Sequence, residues 1–138
     1  MRPLTILIAG AIAVTAIGAV ALNALAPSLC ENRVLQEVPS PDRAHRLVIF
    51  ERNCGATTGF TTQISVLEAL EPLPNEGGNV FTADTDHGAA PDGAGGGPEL
   101  RVRWADPRAA TIERHRAARV YRSQASFKDV HFTFKTFP

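Results

Sequence analysis

Two cysteines, Cys30 and Cys54, and the hydroxyl-rich stretch after the second are the residues whose types and spacing suit chemistry. Cys54-Gly55 opens a polar loop carrying Thr57, Thr58, Thr61 and Gln63. These side chains could hold a carbonyl, a sugar or a peptide edge by hydrogen bonds. The same threonines also suit a wide turn that satisfies its own backbone and then enters a strand. Cys54 as a nucleophile would need a histidine brought beside it by the fold, and His45, His87, His115 and His131 all stand far from it in sequence. In an oxidising compartment two cysteines allow one intramolecular pairing. A Cys30–Cys54 bridge would close a loop of about 25 residues and contribute roughly 3–3.5 kcal/mol in the chain-entropy model.

The remaining polar clusters are weaker. Asp84, Asp86 and Asp92 offer oxygens and His87 a nitrogen, but a calcium loop needs six to eight oxygens. No glutamate follows until Glu99, and zinc would want more histidine or cysteine, so these residues read as a solvated acidic loop. His115 lies between Arg114 and Arg116 in a basic run expected to be solvated, and His131 alternates with Val130 and Phe132 onto a polar face. There is no Ser–His–Asp order, phosphate-binding loop, nucleophile elbow or carboxylate pair. The residues therefore assign no catalytic role, no cofactor and no metal.

What must position these groups is the part of the chain beyond residue 26. Residues 4–26 are uncharged and mostly apolar, and Arg2 is the only charged residue before Glu31. As a helix this segment spans roughly 34 Å, enough for a bilayer core of about 30 Å. It reads as a membrane anchor or as a signal segment, with Ala24-Leu25-Ala26 as a cleavage site followed by Pro27. Residues 27–138 are then a single exported domain, in the periplasm and tethered to the inner membrane, or released into the periplasm after cleavage. With Arg2 set aside it has 13 basic against 14 acidic residues, a net of −1, so no basic field draws nucleic acid.

The hydrophobic period in this domain is two rather than 3.6. Residues 46–52 are apolar on both faces through Leu47, Val48, Ile49 and Phe50, as a central strand requires. Across 60–67, Phe60, Thr62, Ile64 and Val66 alternate with Thr61, Gln63 and Ser65. Val80-Phe81 is a short strand or edge. Leu100, Val102 and Trp104 alternate with Arg101 and Arg103, and Val130, Phe132 and Phe134 with His131, Thr133 and Lys135. Segments 111–114 and 118–122 are shorter strands, since their few apolar residues are spaced poorly for a helical face. Ser40-Pro41-Asp42 and Asp106-Pro107-Arg108 have turn chemistry. Residues 71–79 are loop, and the glycine-rich stretch 84–98 reads as a flexible excursion. The expectation is a mostly β domain, a small antiparallel β-sandwich or curled meander of about seven strands.

With the Ser40-Pro41-Asp42 turn, the strand ending Glu51-Arg52, the Cys54-Gly55-Ala56-Thr57 block and Gly78-Asn79-Val80-Phe81 in view, the chain resembles a group of small uncharacterised bacterial envelope proteins. The resemblance covers roughly residues 30–121. It implies an N-terminally anchored domain and carries over no catalytic residue and no activity. Together these readings favour a non-enzymatic envelope domain that binds a protein or cell-wall partner. A small thiol-dependent enzyme using Cys54, or a secreted inhibitor or immunity-type protein, are the alternatives.

Overall fold

The computed structural model describes residues 29–56 and 58–138. The apolar segment 1–26 and Thr57 lie outside the described residues. Nine strands form two sheets. The first has the order β1 (Glu31–Pro39), β2 (His45–Asn53), β3 (Thr61–Glu68), β4 (Phe81–Asp84) and β7 (Arg119–Ser123), antiparallel at every step. The second has the order β5 (Leu100–Asp106), β6 (Ala109–His115), β9 (Val130–Phe137) and β8 (Ser126–Phe127).

The mostly β expectation holds, and two details differ from it. β1 and the short β8 are additional strands. The second sheet is also mixed, because β6 and β9 run parallel, with Ile112 opposite Phe134. A parallel neighbour needs a crossover. The chain supplies one by leaving β6, entering the other sheet as β7 beside β4, and returning through the β8–β9 hairpin. β4 is consequently an inner strand, not an edge.

The two sheets share one core. Leu47 and Ile49 of β2, Ile64 and Val66 of β3 and Phe81 of β4 pack in one cluster with Leu100, Ile112, Val130 and Phe132 from the second sheet. Phe81 stacks on Phe134 with ring centroids 5.7 Å apart. Alternation in β5 and β9 is as the residues dictate: Leu100, Val130 and Phe132 are buried while Arg101, Arg103 and His131 are exposed. Each fully buried aliphatic or aromatic side chain contributes about 1.5–3 kcal/mol.

The first sheet is covered on its other face as well. Val48 and Phe50 point away from the shared core and pack with Leu67 and Leu73, the last brought there by the loop between β3 and β4. β3 is therefore buried on both faces from Thr62 to Leu67, and its alternation does not produce a wet face. Gln63 and Ser65 instead anchor the covering loop. The Gly78 amide donates to Gln63 Oε1 at 2.6 Å and the Asn79 amide to Ser65 Oγ at 3.1 Å. Asn79 also pairs its side-chain amide with both the N–H and the carbonyl of Val66, at 2.9 and 3.0 Å.

Two connections between strands are fixed by their own side chains or by the lack of them. In the β1–β2 turn Ser40 Oγ donates to Asp42 Oδ1 at 2.6 Å, and the Ala44 amide donates to the same oxygen at 3.1 Å. The Ser40 hydroxyl and then the Ala44 amide hold the Asp42 carboxyl below its usual range. Within the glycine-rich stretch 84–98, Ala90, Gly95, Gly97 and Pro98 are buried, while His87, Gly88, Ala89, Pro91, Asp92 and Ala94 are exposed. A Cβ on Gly97 would lie 2.6 Å from the Thr62 amide nitrogen, so only glycine lets this backbone lie against β3. Gly96 has φ +78° and lies against the Phe60 ring.

Candidate functional site

The β1–β2 ladder brings Glu31 opposite Asn53, and Cys30 and Cys54, one residue beyond each, are joined by a disulfide. The start of β1 is thereby tied to the end of β2. No free cysteine exists among the described residues, so while the bridge stands Cys54 has no thiolate to attack a substrate.

Beside this bridge lies a cleft of about 360 Å³ on the outer face of the first sheet, between the loop after Cys54 and the loop that covers Phe50. Register explains its walls. Arg52 stands opposite Thr61, Gln63 opposite Thr82, and Thr82 opposite Arg122. Residues two apart on a strand share a face, so Thr61 and Gln63 look out together. Arg52 and Arg122 come in from strands three spacings apart, about 14 Å across the sheet. Thr58 and Gly59 close one side, Gly77 and Gly78 the other.

Of the residues expected to make a polar loop site, Thr58, Thr61 and Gln63 all line this cleft. Their hydrogen bonds are partly internal. Thr58 Oγ1 donates to the Gly55 carbonyl at 3.1 Å, and Thr61 Oγ1 to the Arg52 carbonyl at 3.3 Å. Gln63 Nε2 donates to Thr61 Oγ1 at 2.8 Å while its Oε1 accepts from Gly78. The network makes Gln63 a fixed floor and leaves the arginines as the charged groups of the cleft. Arg52 Nη1 donates to Asn32 Oδ1 at 2.7 Å and Asn75 Oδ1 at 3.1 Å. Reasoning along the chain missed both arginines. Arg52 continues the Val48–Phe50 face, but nothing local places Arg122 beside Thr82.

The acidic stretch takes a different role. Asp84 accepts from Arg119 and from the Tyr121 hydroxyl at 2.7 Å, and from the Asp86 amide at 2.9 Å. Burial pushes its carboxyl up, but the Arg119, Tyr121 and Asp86 donors outweigh that and leave it below the usual carboxylate range. Three or more metal-ligating side chains meet nowhere among the described residues. His115 is half-buried, not solvated. It lies edge-on to Phe137 at 5.9 Å, and its Nδ1 accepts from the Ala117 amide at 3.2 Å.

No protein-family model, curated protein or solved structure matches this chain significantly.

Proposed function

We propose that this chain is a non-enzymatic binding protein of the bacterial cell envelope. Its N-terminal apolar segment holds it at the membrane, and the cleft beside Cys54 contacts a protein or cell-wall partner. The observation that carries the reading is convergence: Cys54, Thr58, Thr61, Gln63, Arg52 and Arg122 come from four separate strands and loops to line one cleft. The oxidised state of Cys54 supports recognition rather than thiol chemistry, and a bridge of this kind is stable in an extracytoplasmic compartment.

The test is site-specific photo-crosslinking in cells with the full chain. A photoreactive side chain at Thr58 is expected to trap a discrete partner or wall fragment, and one at Lys135, on the opposite sheet, is expected not to. Equal adducts at both positions, or none at either, refute the reading. The mass of the mature chain in the same cells separates a retained anchor from a cleaved signal.

A further inference from the structure

We infer that the cleft holds a small oxyanion, a carboxylate or a phosphate ester, carried at the end of a polar ligand. This rests on the cleft being the partner site and goes further by naming the chemistry it selects. Arg52 and Arg122 both line it, and no acidic side chain does. Arg33, Arg46, Arg101, Arg108 and Arg119 pair with Glu51, Glu37, Glu99, Asp129 and Asp84, whereas Arg43, Arg103, Arg114 and Arg116 are, like Arg52 and Arg122, without an ion pair among the described residues. Among the described residues no carboxylate lies within ion-pair distance of Arg52 or Arg122.

Arg52 is oriented all the same. Its two asparagine acceptors are neutral, so they aim the guanidinium without cancelling its charge. An oriented guanidinium offers parallel N–H donors that match the oxygens of a carboxylate or phosphate. The strands of Arg52 and Arg122 lie about 14 Å apart and Arg52 leans toward Asn32 on β1, so the two cations mark opposite ends of a cleft whose charged lining is positive only. Thr82 adds a hydroxyl on the rim.

Competing cavities lack this combination. The gap between the sheet edges is lined by Leu35, Ile49, Leu100 and Val102, and its one arginine, Arg101, is held by Glu99 at 2.8 Å. The depression beside Phe60 contains Arg119, but Asp84 and Asp92 share its lining.

The experiment is a titration of the isotopically labelled full chain, bridge intact, in non-ionic detergent at constant chloride. Inorganic phosphate is the probe in one arm and acetate in the other, each followed by amide chemical shifts. Saturable shifts centred on Thr61, Gln63 and Gly78 are expected with at least one of the two. Preference for phosphate identifies a tetrahedral ester and preference for acetate a carboxylate. Affinity should fall at least about fivefold in Arg122→Gln, which removes one charge-assisted contact and breaks no ion pair. Arg52→Lys, which keeps the charge and loses the fork, should weaken it less. Arg103→Gln, an exposed arginine of β5, should leave it unchanged. Non-saturating shifts with both anions, or the same loss in Arg103→Gln as in Arg122→Gln, overturn the inference. A cleft that crosslinks a partner in cells yet binds neither anion keeps the partner site and removes the oxyanion. Saturable anion binding with no crosslink does the reverse.

Discussion

Trp104 donates its indole N–H to the carbonyl of Val38 at 2.9 Å, joining β5 of one sheet to β1 of the other. The ring packs against the shared core while its nitrogen satisfies a carbonyl at the outer edge of the first sheet. This hydrogen bond links the two sheet edges at a point that neither sheet's own ladder reaches.

Trp104→Ala should cost about 3 kcal/mol, from lost ring packing and an orphaned carbonyl. Trp104→Phe keeps most of the packing and should cost about 1 kcal/mol, the usual worth of one hydrogen bond. Arg103→Ala, on the exposed face, should change stability by less than about 0.5 kcal/mol. Denaturant melts followed by circular dichroism rank the three. A cost for Arg103→Ala equal to that of Trp104→Ala contradicts the assigned faces of β5.

Gly97→Ala should destabilise the domain by about 1–3 kcal/mol, because the new methyl meets the Thr62 backbone nitrogen at 2.6 Å. Gly88→Ala is the control for space, since nothing lies within 4 Å of a Cβ there, although its φ of +88° still carries a left-handed penalty. That penalty is about 1–2 kcal/mol for a residue with a Cβ. The sharper readout is amide exchange: Gly97→Ala should expose the Thr62 amide, and Gly88→Ala should not. Protection of Thr62 unchanged by Gly97→Ala would show that the glycine segment is not packed on β3.

Replacing both Cys30 and Cys54 by serine should lower stability by roughly 3 kcal/mol, through entropy restored to the unfolded chain. Alkylation of the wild-type chain under denaturing, non-reducing conditions should label neither cysteine. Stoichiometric labelling of Cys54 in protein taken from an oxidising compartment would revive the nucleophile.

Asp84 should add acid sensitivity of a defined sign. Its carboxyl titrates below its ordinary value of 3.8 in the folded chain, so its contribution is present above that pH. The contribution is lost as the pH falls through the lower folded value, because the proton then binds the unfolded chain more readily. Asp84→Asn should therefore be less stable than wild type at neutral pH, and the gap should narrow as the medium is acidified below pH 3.8. Urea melts at a series of pH values measure that gap. A gap that widens on acidification reverses the sign and rules out the Arg119 and Tyr121 donors as its source.

Much of the fold is legible along the chain because alternation is a local property. Leu100, Val102 and Trp104 announce β5, Val130, Phe132 and Phe134 announce β9, and the apolar run of residues 47–50 announces an inner strand buried on both sides. Two cysteines leave one internal pairing, so the bridge too is legible from the chain. Ser40-Pro41-Asp42 declares its turn through side-chain bonds two residues long. Thr58, Thr61 and Gln63 are visible as a polar cluster for the same reason: they are near neighbours. Pairing between strands distant in sequence is not encoded in any such window. Only the tertiary structure decided that β9 lies parallel to β6, that Arg122 on β7 reaches the cleft Arg52 lines, and that Gln63 is a buried anchor rather than a wet face. The glycine segment shows the limit most plainly. Glycine has no side chain, so its burial comes from backbone lying directly on β3, and a pattern of side-chain hydropathy cannot register a contact made without one.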